Sequence, residues 1–156
     1  MDAFNQDEFY MRMALQEAQR AADAGEVPCG AVIVLDDQII GKAHNQTEML
    51  KDPTAHAEML AITQATQAVG NWRLSGATLY VTKEPCVMCA GALVLSRIKR
   101  VVWGLSDPLR GGSSKFKLLN QSNLNHAVEE VSGCLEAPCQ AIIQHFFQQR
   151  RQTPSE

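Results

Sequence analysis

No apolar run in the sequence is long enough to cross a bilayer, and the opening residues Met1 to Glu8 are acidic, with no apolar leader core. These absences exclude a helical membrane protein and make the cytoplasm the expected residence. Internal repeats and low-complexity tracts are missing as well. So is an excess of positive charge: the formal net charge is -3, which argues against generic binding of polyanions. Five cysteines form no even set for a disulfide framework. An odd count that includes Cys86 and Cys89 as C-x-x-C fits a reducing compartment and metal binding better, leaving Cys29, Cys134 and Cys139 as free thiols.

With 156 residues, 46% of them hydrophobic and 20% charged, the chain has the size and balance of one globular domain, residues 1–156, with loose ends at 1–4 and 152–156. Its charge is unevenly spread. Residues 96–117 hold Arg97, Lys99, Arg100, Arg110, Lys115 and Lys117 against Asp107 alone. The first 26 residues hold Asp2, Asp7, Glu8, Glu17, Asp23 and Glu26 against Arg12 and Arg20. Two readings stand open: an electrically two-sided nucleic-acid binder, or two ordinary solvated faces.

Asn5-Gln6-Asp7-Glu8 has the form of a capping box, and Met11, Leu15, Ala18 and Ala22 follow at helical spacing until Gly25. Ala31 to Leu35 and Gln38 to Ala43 read as a hairpin about Asp36-Asp37, of uncertain turn type. Asp52-Pro53 suits an N-cap and first helical residue, predicting a helix that carries His56 and Glu58 and runs to Gly70. Ala77 to Thr82 reads as a buried strand, the Cys86 segment as a helix to about Ile98, and Val101 to Gly104 as another strand. After a loop at Ser106 to Ser114 come a short strand near Glu129 to Ser132 and a terminal helix from Leu135 to Arg151. Alternating strands and helices imply an α/β sandwich.

The chemistry lies in His56-Ala57-Glu58 and Pro85-Cys86-Val87-Met88-Cys89. A structural zinc closes its tetrahedron with four side chains, whereas a catalytic one keeps three and leaves the fourth position to water. His56, Cys86 and Cys89 supply three. Cysteines three apart at a helix opening share a face where the helix dipole favours the thiolate. Glu58 stands two residues past His56, so on a helix the two side chains diverge by roughly 200° and a kink or rotamer is required to bring both to the metal. Its carboxylate more naturally faces the bound water. Zinc lowers the pKa of that water to about 7, and a neighbouring glutamate can move the proton to a ring nitrogen and a leaving amine, which is hydrolytic deamination.

The H-x-E and P-C-x-x-C pair, together with Glu26-Val27-Pro28-Cys29-Gly30-Ala31-Val32, Ser96-Arg97-Ile98, Arg100 to Asp107, Gln121 to His126 and Phe146 to Arg151, resembles the bacterial tRNA-specific adenosine deaminases over nearly the whole chain. The resemblance implies a cytidine deaminase-like three-layer α/β/α sandwich with a central mixed sheet. It implies one zinc ion per subunit on His56, Cys86 and Cys89, with Glu58 as acid and base. It further implies that Asn45 hydrogen-bonds the flipped base, that Asp107, Asn125, Phe147 and Arg150 contact a tRNA anticodon stem-loop, and that two subunits form a homodimer. The implied reaction converts the wobble adenosine to inosine. Three positions depart from the pattern: Cys29 replaces a small aliphatic residue, Lys83 stands where an apolar residue is common, and Leu109-Arg110-Gly111-Gly112 varies the loop after Asp107.

Other readings remain at this level. The two cysteines alone fit a redox dithiol, or a structural zinc completed by Cys134 or Cys139. The zinc core also serves deaminases of a free base or nucleotide, guanine or a cytosine derivative, and a catalytically idle zinc-bound subunit that binds RNA or a partner. Asn45 and His44 alone read as a turn residue and a partly exposed histidine. Phe146, Phe147, Ile142 and Ile143 read as the core of the terminal helix, and Trp103 as strand core.

Overall fold

The computed structural model describes residues 5–152. The expected loose ends at 1–4 and 153–156, and Asp2 of the acidic segment, lie outside them, whereas Gln152 closes the last helix. The elements are α1 (Gln6–Asp23), β1 (Gly30–Leu35), β2 (Gln38–His44), α2 (Thr47–Leu50), α3 (Ala57–Val69), β3 (Thr78–Lys83), α4 (Val87–Leu95), β4 (Arg100–Leu105), a 3-10 turn (Leu118–Asn120), β5 (Glu129–Val131) and α5 (Glu136–Gln152). The sheet order is β2-β1-β3-β4-β5. β1 pairs antiparallel with both β2 and β3, while β3–β4 and β4–β5 are parallel. This is the expected mixed sheet.

Side-chain alternation divides the core into two layers. Ala31 and Ile33 of β1, Leu79 and Val81 of β3, and Val101 and Trp103 of β4 pack with Ala57, Ala61 and Ala65 of α3 and Ala90 and Leu93 of α4. Val32, Val34, Tyr80 and Val102 face the other way, against Tyr10, Met11 and Ala14 of α1 and Cys139 of α5. The sandwich therefore has α3 and α4 on one face and α1 and α5 on the other. Trp103 is strand core, its indole N–H donating to Ser106 Oγ at 2.9 Å.

Local signals explain most boundaries. Asn5 Oδ1 accepts from Glu8 N at 3.1 Å, the predicted cap of α1. Asp36 and Asp37 both take positive φ, 50° and 61°, which a type I′ hairpin turn requires. Two helices differ from expectation. Asp52-Pro53 does not open α3: Asp52 Oδ1 takes the Thr54 N–H and hydroxyl in a tight turn, and the helix starts at Ala57 with His56 as N-cap. The first helical N–H, that of Ala57, is taken by Asn45 Oδ1 at 3.1 Å, so a side chain at the end of β2 replaces the local cap. α4 stops at Leu95, short of Ile98, because Ser96 caps it and Arg97 turns left-handed at φ 61°.

The acidic opening segment is not simply a solvated face. Asp7 forms a two-pronged ion pair with Arg100, at 2.8 and 2.6 Å, and accepts from the Tyr80 hydroxyl at 2.9 Å. Glu17 and Glu26 are buried. Glu26 caps α2, accepting from the backbone N–H groups of Glu48 and Met49 at 3.0 and 2.8 Å. Part of the sequence's charge asymmetry is thus satisfied internally.

Candidate active site

Two chain segments converge where α3 and α4 begin. Because His56 is the N-cap of α3, with extended backbone (φ -76°, ψ 152°), it stands outside the helix while Glu58 lies in its first turn. The divergence expected of two residues on one helix does not arise, and no kink is required. Cys86 is likewise the N-cap of α4, and Cys89 lies in the first turn. Pro85 precedes both.

His56 Nδ1 lies 3.6 Å from Cys86 Sγ and 3.5 Å from Cys89 Sγ, and the three donor atoms fall within 4.8 Å of one another. Ordinary zinc–nitrogen and zinc–sulfur bonds at tetrahedral angles put such atoms about 3.6 Å apart. One imidazole and two thiols are a donor set zinc favours, so this trio fits a zinc ion. Cys139 is instead buried among Tyr10, Met11 and Val102 in the opposite core layer, and Cys134 packs beside it. Neither joins the trio, and all five cysteines are free thiols. The structural-zinc reading therefore loses its fourth ligand, and the histidine beside both thiols favours metal over a redox dithiol.

Proton sharing in the trio follows from its contacts. A hydrogen bond from Cys89 lowers the Cys86 thiol to about 3, and the same bond, with burial, pushes Cys89 well up. The bond to Cys86, outweighing burial, raises His56. Glu58 is 3% exposed, and burial holds its carboxyl above the usual range. Cys29 Sγ lies 3.8 Å from Glu58 Oε1, and burial followed by the Glu58 charge raises that thiol.

A cavity of about 370 Å³ opens over these groups, lined by Asn45, His56, Glu58, Cys86 and Asp107 from the sequence reading. It is also lined by Cys29, Thr47, Lys83, Glu84 and Arg110, which that reading left without a role. Asn45 is buried, with Oδ1 committed to α3. Asp107 Oδ1 accepts from Leu109 N and Arg110 N, and Oδ2 lies 3.5 Å from Lys83 Nζ. These backbone bonds and the Lys83 charge outweigh burial, leaving the Asp107 carboxyl low. The other expected RNA contacts stand elsewhere. Asn125 lines a separate cleft with Arg73, Arg97, Lys99 and His126. Phe147 and Arg150 line a third with Arg151. Arg150 donates to Gly25 O at 3.0 Å and covers Phe146, which is core, while Phe147 is exposed.

A family model for MafB19-like deaminases matches residues 5–151 and defines the class. A tRNA-specific adenosine deaminase of Bacillus subtilis is 52% identical over 147 residues, covering 94% of this chain and 91% of the relative. One from Aquifex aeolicus is 48% identical over 145 residues, covering 92% of this chain and 95% of the relative. A solved structure from studies of A-to-I editing by tRNA:A34 deaminases at the wobble position of transfer RNA is 44% identical, with a TM-score of 0.83, covering 86% of this chain and 98% of that one. The chain belongs to the MafB19-like deaminase family, by the model it matches, and to the tRNA-specific adenosine deaminases, by its relatives. Among the described residues, no helix is long and apolar enough to cross a membrane.

Proposed function

We propose that the protein hydrolytically deaminates adenosine to inosine at the wobble position of a tRNA anticodon, as one zinc-dependent domain acting in the cytoplasm. The observation that carries this is the convergence of a buried glutamate, a His-Cys-Cys trio and a buried asparagine on one cavity. Relatives named for this activity at 48–52% identity supply the substrate.

His56, Cys86 and Cys89 would hold the zinc ion, which supplies a Lewis acid that makes water acidic near neutral pH. Glu58 does the proton work. Its carboxyl is buried, lines the cavity and is not one of the trio's donors, so it is left to take a proton. It takes a proton from water, returns it to a ring nitrogen as the amino-bearing carbon is attacked, and passes a further proton to the departing amine, so that water and adenosine become inosine and ammonia. Asn45, with Oδ1 held by α3, offers its amide N–H to the base and fixes its orientation. Asp107 stands on the opposite loop wall, where it can meet the target nucleotide.

The same reading assigns Asn125, Phe147 and Arg150 to the anticodon stem-loop and makes the working unit a homodimer. Support for a second subunit is that these residues line clefts separate from the catalytic cavity, and that α4 exposes Leu95 and Val87. Sedimentation of the zinc-loaded protein checks this: a dimer is expected, and a monomer active on RNA would overturn it. The catalytic assignment is tested by Glu58→Ala, which should keep its zinc and form no inosine.

A further inference from the structure

Glu84 is a buried carboxylate, 4% exposed, that the proton chemistry does not use. Among the described residues no cation stands within ion-pair distance of it. Four hydrogen bonds from one distant loop hold it instead. Oε1 accepts from Asp107 N at 2.9 Å and from the Ser114 hydroxyl at 2.5 Å. Oε2 accepts from Ser113 N at 3.1 Å and Ser114 N at 2.7 Å. Its own N–H donates to Leu105 O at 2.8 Å, and Gly112 N donates to Pro85 O at 2.8 Å. The peptide that leads into Cys86 is thereby bonded to both ends of the 105–114 loop. Gly111 and Gly112 permit the approach: a Cβ on Gly111 would overlap the Glu84 carboxylate, and one on Gly112 would lie 2.8 Å from Cys86 O.

We infer that Glu84 is a positioning residue for substrate binding, fixing the loop wall that presents Asp107 and Arg110 to the target nucleotide. This rests on the proposed deamination of an RNA adenosine. The loop carries no helix or strand of its own between Leu105 and Leu118, so its shape depends on what its backbone N–H groups meet. One side-chain carboxyl group meeting three of them, plus a hydroxyl, substitutes for that missing secondary structure. Asp107 is set at both ends: its N–H by Glu84, and its side chain by Leu109, Arg110 and Lys83. Glu58 receives nothing from this network, so loosening it should weaken binding and spare the proton steps.

Glu84→Gln keeps the shape and replaces one acceptor with a donor facing donors. Zinc-loaded Glu84→Gln is expected to keep full zinc content, to raise KM for an adenosine-bearing anticodon stem-loop by about tenfold with kcat within about twofold, and to exchange the amides of Asp107, Ser113 and Ser114 faster. Because Glu84 acts through the loop, the same change in an Asp107→Ala/Arg110→Ala background should add less than about twofold to KM. Should Glu84→Gln fail to fold, Ser114→Ala removes a single donor and should raise KM about threefold. An unchanged KM in a folded variant, a fall in kcat alone, or full additivity with the double variant would overturn the role. Silence of the wild-type protein on the stem-loop would instead refute the RNA reading, and the amide exchange would still report whether Glu84 holds the loop.

Discussion

At the scale of single residues, the proposed roles separate metal retention from proton transfer, and substitutions should separate them too. Glu58 lies beside the His56–Cys86–Cys89 trio without being one of its three donors. Glu58→Ala should therefore bind zinc stoichiometrically and lose at least about a thousandfold in kcat, the scale of a missing acid and base. Cys86→Ala should lose the metal and the activity together. Metal analysis of the two purified variants, beside their rates, checks both; zinc loss in the first, or full zinc in the second, contradicts the assignment. These four residues were legible in the sequence because each motif is local and its spacing is dictated by coordination chemistry. Glu84 was not legible, although it stands beside Pro85-Cys86, because its partners lie 23 to 30 residues away.

At the scale of elements, the strands and helices follow the local pattern where local forces decide. The Asn5 cap, the Asp36-Asp37 turn and the strands at β1, β3 and β4 agree with the sequence reading. The start of α3 does not, since its capping acceptor is Asn45, twelve residues upstream and carried there by β2. Asp52-Pro53 is a sound local signal that a tertiary one overrides. The override matters for function: it leaves His56 at the N-cap, outside the helix, and places Glu58 in the first turn. Packing between elements is equally specific. A Cβ on Gly30 would lie 2.5 Å from Ala18 N, with the Ala14 carbonyl nearer still, so α1 rests directly on the backbone of β1. Gly30→Ala should lower unfolding free energy by about 3 kcal/mol, read from denaturant midpoints. A loss within about 0.5 kcal/mol would show that α1 can lift without cost.

At the scale of the whole molecule, the Asp7–Arg100 pair joins α1 to the sheet across 93 positions of sequence. The hydrogen bond from Arg100, assisted by Tyr80, lowers the Asp7 carboxyl below 3.8 despite some burial. A carboxyl lowered on folding stabilises the native state above its unfolded pKa, and that contribution is lost as pH falls through the lower, folded value. Wild type should therefore exceed Asp7→Asn by about 1 kcal/mol at neutral pH. The gap should hold down to about pH 4 and close below it, as paired thermal melts across pH would show. A gap that widens on acidification contradicts the pairing. The ion pair also sets one charge of the acidic opening segment, Asp7, against one of the basic segment, Arg100.

The central claim, that this chain is a deaminase acting on adenosine in a tRNA anticodon, is tested most directly by one assay. Zinc-loaded protein is incubated with an adenosine-bearing anticodon stem-loop and, in parallel, with free guanine and cytidine, with Glu58→Ala as the blank. Inosine confined to the wobble position, absent in the blank, is the predicted result; ammonia release from a free base with silence on the RNA would keep the zinc chemistry and contradict the substrate.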